Sequence, residues 1–287
     1  MTDDALSPAK TAAPKSVAPK SAEGEVAPPR PRFKLAKGHI TALSLITVGA
    51  IWELSGPGMN PLFGSYPSAI WKAGVRMAES GDLVTALFSS LQPFFAGYLL
   101  AAAIGIPLGL LIGRYRGVEA ALGIYVTAGY AMPLVALVPL FMLWFGLGFT
   151  VKVAIIFTLA FFPICINTWE GVRAVPKALI EVGTSFVAPP AAVMWKIVLP
   201  ATLPYIIAGL KLAIGKAVIA MVVAEFFTAI SGLGGIILNA ANQFDTAAMF
   251  VPIIILMLMA VSLTALVRWL ERRLAPWQTE LSGREGG

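Results

Sequence analysis

Five polar side chains stand within or at the edges of long apolar runs: Gln92, Asn167, Lys211, Lys216 and Glu225. An unpaired polar or charged group in hydrocarbon is costly, so such residues mark either a lined pathway or a structural pair. Lys211 and Lys216, in the inner half of their run, have the chemistry to meet an anion. The favoured reading is that they snorkel or pair with neighbouring polar groups. Glu225, close to the outer end of the same run and followed by SGLGG, reads as a structural or gating residue, because a carboxylate repels an anionic solute. Tyr130, Met132 and Pro133 interrupt another run; proline there removes a backbone donor and kinks the helix, and a kink facing a cavity suits a pathway. Catalysis has a thin inventory. The single cysteine, Cys165, and the single histidine, His39, lie far apart in sequence, so no metal or other cofactor is expected on this chain. The GxxxxGK[ST] phosphate loop is also missing, which excludes ATP hydrolysis by that route.

The elements that carry these residues are membrane helices. Hydrophobic residues make up 58% of the chain and charged ones 13%, with a mean hydropathy of +0.82, too apolar for one soluble core. Apolar runs at Ile40–Leu54, Val84–Ile112, Ala120–Phe145, Val151–Asn167, Leu203–Phe227 and Ala247–Leu270 predict about six spans. Residues 1–36, rich in Ala, Pro, Lys and Ser, read as a disordered tail without a secretory signal. Residues 37–275 would form the membrane domain and 276–287 a short second tail. After Pro67 a helix is expected on the membrane surface, capped by Ser68, with Ile70, Trp71 and Val75 on one face. Gly97, Gly105, Gly109 and Gly113 fall near one side of the second span and suit close helix packing.

The net charge of +6 is a topology signal rather than a nucleic-acid footprint, because the basic residues gather in the tail and at span ends. One side holds Arg114, Arg116, Arg173, Lys177, Lys196, Arg268, Arg272 and Arg273 besides the tail lysines; the other holds only Lys72, Arg76 and Lys152. Both termini are therefore expected in the cytoplasm. The longest cytoplasmic connection, 169–201, is too patterned for a slack linker. Pro176 stands near a helix start, Ala178, Leu179, Val182 and Phe186 follow at helical spacing, APP ends that helix, and AAVMWKIVL begins another before Pro200. Two such helices either dock a partner or merely connect two spans.

Glu181, Gly183, Val187 and IVLP at Ile197–Pro200 are spaced as in the EAA loop, and the chain resembles the permease subunits of bacterial binding-protein-dependent ABC importers. PLFMLWFGLG (Pro139–Gly148), FFPICINTWEGVRAVP (Phe161–Pro176), the stretch Leu199–Glu225 and SGLGGIILNA (Ser231–Ala240) are similar to the nitrate, sulfonate, taurine and bicarbonate branch. The similarity runs from about Tyr66 to Trp277. It implies an all-α, polytopic inner-membrane bundle of the type I importer kind, homodimeric around a central pathway. It also implies two cytoplasmic ATPase chains that carry ATP and Mg, and a periplasmic or lipid-anchored substrate-binding protein. The implied coupling-loop residues are Leu179, Glu181, Val182, Gly183, Phe186, Val187, Leu199 and Pro200; Gln92, Tyr130, Met132, Asn167, Lys211, Lys216 and Glu225 are pathway or gating candidates. The implied cargo is a small anion such as an aliphatic sulfonate, taurine or nitrate. The alternatives are another small polar solute, or an ion-coupled secondary transporter, whose mid-span acids and matched broken helices are not evident here. One departure stands out: Val187 occupies the family's loop-glycine position. Valine does not easily take a left-handed turn, so Val187 is expected just past the helix in a turn of different shape.

Overall fold

The computed structural model describes residues 37–60, 62–228 and 231–274; both tails expected from the sequence, 1–36 and 276–287, lie outside these. Contacts divide the chain into two units after Ile46. The described part of the first is the opening of helix α1 (Lys37–Ser55), whose side chains are exposed. The second unit continues with α2 (Pro67–Glu79), α3 (Asp82–Arg114), α4 (Arg116–Ala131), α5 (Val138–Phe145) and α6 (Phe149–Arg173). Short helices α7 (Lys177–Ser185) and α8 (Pro190–Val193) precede α9 (Leu199–Thr228), α10 (Leu233–Asn242) and α11 (Thr246–Leu274).

Among the described residues five helical runs are long and apolar enough to cross a membrane, or six if the bent pair Arg116–Ala131 and Leu134–Phe145 is one span. The six apolar runs of the sequence thus all become helix. The third departs from expectation in degree: at Met132–Pro133 the chain turns by 89°, a break rather than a kink. Pro133 cannot supply the next backbone donor, and Met132 leaves the helix in an extended conformation.

At the centre, α3, α6 and α9 pack together around Phe94, Ile155, Ile156, Ile164, Ile214 and Met221, all essentially inaccessible. The glycines of α3 make this possible. A β-carbon on Gly97 would lie 2.8 Å from Ile156 Cβ, and one on Gly109 would lie 2.7 Å from Thr168 Cβ, so α6 rests directly on the α3 backbone. Van der Waals contact at this range is the main attraction between helices in lipid, where no hydrophobic force drives them together.

Three local expectations change. Ser68 does not cap α2: its N–H instead donates to Glu53 Oε2 at 3.0 Å, so a carboxylate from α1 sits on the first turn. Ile70 turns inward, whereas Trp71 and Val75 face outward beside an apolar groove shared with Trp52. AAVMWKIVL does not end before Pro200 but runs on, giving one helical run from Pro190 to Thr228. A single π turn over Met194–Val198, in which the Leu199 N–H reaches Met194 O, shifts the ladder where Pro200 has no donor to offer.

Lys152, read from sequence as an outer-loop lysine, is buried. Its Nζ lies 3.8 Å from Glu225 Oε1 and donates to the carbonyl and hydroxyl of Ser231 at 3.3 and 3.2 Å. Ser90 Oγ donates to the same carboxylate at 2.6 Å and accepts from the Leu233 N–H at 2.9 Å, while the Gly234 N–H donates to Glu225 Oε2 at 2.8 Å. Gly232, at φ +97°, passes so close that a β-carbon would run into the carboxylate. One ion thus ties α3, α6, α9 and the start of α10, and each side of the pair has further hydrogen bonds, as a buried charge requires. Glu225→Ala leaves Lys152 buried without its counter-ion. It should cost about 3–5 kcal/mol, with much of the loss recovered by Glu225→Leu combined with Lys152→Met. Thermal unfolding of the purified chain reads both.

Candidate functional site

The connection between α6 and α9 is built around α7. Its Gly183 is buried, and a β-carbon there would approach Ile197 Cδ1 to 2.8 Å and Val193 Cγ2 to 3.3 Å, so α7 lies flat on the following helix. Val172, Val175, Val193 and Val198 form a small core beneath it, with Ile180 packed against them. The rest of its surface is bare: Leu179, Val182 and Phe186 are exposed along one side of the helix, and Glu181, exposed on another side, has no basic partner among the described residues. Leu199 and Pro200 are half-buried at the start of α9, behind this face rather than on it.

The end of α7 is the turn that valine was not expected to make. Val187 has φ +53°, and it closes a Schellman motif: the Ala188 N–H donates to Gly183 O at 3.1 Å and the Val187 N–H to Thr184 O at 2.9 Å. The position needs a left-handed residue, and valine adopts that conformation at a strain of roughly 1–2 kcal/mol. The sequence expectation of a differently shaped turn is therefore corrected.

The second constellation forms where the third span breaks. Tyr130, Met132, Leu134, Leu159, Phe162 and Lys216 border a cavity of about 250 Å³ between the break, α6 and α9. Three of the seven pathway candidates, Tyr130, Met132 and Lys216, are thereby brought together. The others are not. Lys211 donates to Glu271 Oε2 at 2.6 Å, an ion pair that joins α9 to the last part of α11. Asn167 Nδ2 donates to Pro163 O at 2.7 Å within its own helix. Gln92 is exposed on α3 and borders no part of this cavity, and Glu225 is consumed by the buried network. Ser90, Lys152 and Ser231, which complete that network, were not singled out from sequence; a lysine four residues after Gly148 in an otherwise apolar run was the available signal.

Comparison with known proteins agrees with this architecture. Residues 105–276 match the family of binding-protein-dependent transport system inner membrane components. A Bacillus subtilis permease named for aliphatic sulfonate transport is 33% identical over 89% of this chain and 92% of its own length. The Escherichia coli taurine transport system permease is 30% identical over 78% of this chain and 83% of its own. A riboflavin transport system permease of Chloroflexus aurantiacus is 35% identical over 70% and 75%. Among solved structures, the inward-facing MetNI methionine ABC transporter has a chain of the same fold, with a TM-score of 0.54 at 19% identity over 69% of this chain and 97% of that one. A bundle of apolar helices with a short, largely exposed helix between two of its spans is thus matched by sequence along most of its length, and the chain belongs to the inner-membrane permease components of binding-protein-dependent ABC importers.

Proposed function

We propose that this permease imports a small organic anion, in the range of the sulfonates and taurine for which two of its relatives are named, as a homodimer driven by two ATPase chains bound at α7. The loaded binding protein delivers the anion on the outer side, and both termini lie in the cytoplasm, as the basic residues at the span ends favour. The observation that carries the reading is the bare face of α7. Leu179, Val182 and Phe186 offer contiguous apolar area, and Glu181 on the same helix adds a charge able to fix register with a basic partner surface. Gly183 holds this helix against the run that continues into α9, so a tilt imposed at α7 reaches the spans without slack. ATP binding between the partner chains would then bias the bundle by contacts that differ between its two states.

Two variants test the docking role. Glu181→Lys should leave membrane insertion unchanged and lower ATP-driven uptake by tenfold or more, about 1.4 kcal/mol of lost coupling, measured with the binding protein and ATPase in proteoliposomes. Normal uptake by that variant would remove α7 from the coupling path. Val187→Gly should keep both turn hydrogen bonds and retain co-purification with the ATPase. Val187→Pro cannot reach φ +53° and lacks the N–H that bonds Thr184 O, so it should lose that association.

A further inference from the structure

Three lysines lie within the apolar spans, and two have carboxylates: Lys152 faces Glu225 at 3.8 Å and Lys211 meets Glu271 at 2.6 Å. Lys216 has no acidic partner among the described residues. It is exposed on α9, roughly 18 Å of helical rise from Thr228 and about 25 Å from Leu199. The cavity wall opposite it is Leu159 and Phe162, at the middle of α6. From that depth a lysine does not snorkel to either surface as it does near a helix end. A bare ammonium against lipid tails costs several kcal/mol, so this face of α9 meets water or a counter-charge in the working protein.

What surrounds the ammonium narrows the counter-charge. Tyr130 contributes a phenol hydroxyl as a second donor, and Met132, Leu134, Leu159 and Phe162 make the remaining wall apolar. No carboxylate borders the cavity. Its volume of about 250 Å³ falls below the range of ~300–1,000 Å³ usual for drug-sized ligands, so a compact solute is favoured over a flavin-sized one. We propose that this cavity is a transit site for a small organic monoanion of the sulfonate class, its head on Lys216 and Tyr130 and its short carbon body against Met132, Leu159 and Phe162. The 89° break at Met132–Pro133 opens the third span at this level and so makes room for the site. A wall with a single cation holds an anion loosely enough to release it, as a translocation site must. The inference rests on the importer reading above, and its test needs no transport.

Met132→Cys places a thiol in the cavity wall of the full-length chain in native membranes; Cys165, the single native cysteine, is buried and serves as the unreactive background. The thiol is titrated with anionic sulfonatoethyl methanethiosulfonate and with cationic trimethylammonioethyl methanethiosulfonate, each rate divided by that for a free thiol in solution. The anionic reagent should be favoured by roughly tenfold. Lys216→Gln should bring the ratio to about one and Lys216→Arg should keep it, which separates loss of charge from loss of fold. Excess ethanesulfonate should slow the anionic reagent when Lys216 is present. A thiol inert to both reagents, a ratio unmoved by Lys216→Gln, or no protection by ethanesulfonate would each overturn the proposal. An importer of an uncharged solute would show a ratio near one with ATP-driven transport intact, so this site and the importer reading fail separately.

Discussion

A charge inside hydrocarbon must be paired or wet, and the arrangement of this bundle follows from how three lysines meet that constraint. Lys152 is paired at the start of α6, where Glu225, Ser90 and two backbone N–H groups from Leu233 and Gly234 complete a closed network. Lys211 is paired with Glu271 of α11. These two pairs pin α9 to α6 and to α11 respectively. Between them Lys216 is left over, at the depth where the third span opens. The two pairs hold structure, and Lys216 between them has no acidic partner among the described residues. A desolvated pair contributes little net stability compared with well-packed apolar residues, but breaking one is severe, so such pairs fix geometry more than they raise stability.

One member of each pair and the unpaired lysine share a single helix. From Pro190 to Thr228 a single run bears Val193 and Ile197 against α7, then Lys211, Lys216 and Glu225 in turn. A helix is stiff on this length scale, so displacement at the end that bears α7 is felt at the cavity and at the Glu225 network rather than absorbed between them. The π turn at Met194–Val198 sits where Pro200 would otherwise break the ladder, and Pro204 leaves out one further donor in the same rod. Gly183 at one end and the glycines of α3 beside α6 serve the same purpose: backbone touches side chain directly, leaving no compliant layer between the moving parts.

Spans, helix α7 and its exposed apolar side chains were legible in the sequence, because hydropathy and the 3.6-residue period are local signals. Lys152 was misplaced because its partner lies 73 residues further along the chain, and a lysine near a span end looks the same whether it faces water or a buried carboxylate. Lys211 and Lys216 were equally indistinguishable: five residues apart on one helix, they differ only in what α11 brings to the first and the broken third span fails to bring to the second. The proline at 133 signalled a distortion, but its 89° magnitude depends on the left-out donor combining with an extended Met132. The proline at 200 gave the same signal and produced no break, since a π turn one step earlier absorbed it. Proline marks where the backbone ladder is interrupted; the neighbouring turns decide whether the chain bends.

Val187 shows how far local preference yields to its surroundings. A left-handed, β-branched residue is disfavoured, and this side chain is 89% exposed, so packing within the chain does not repay the strain. What holds the conformation is the pair of hydrogen bonds to Gly183 and Thr184, anchored in turn by Gly183 lying flat on Val193 and Ile197. Glycine would satisfy the backbone with less strain and leave a smaller tip. Valine adds apolar surface beside Phe186, itself 82% exposed, at the edge of the face formed by Leu179 and Val182. Strain of this kind persists where the surrounding structure over-determines it, and it clusters at surfaces used for contact. The conformation is thus fixed by groups behind the turn, whereas the side chain that makes it unfavourable adds to the apolar surface in front.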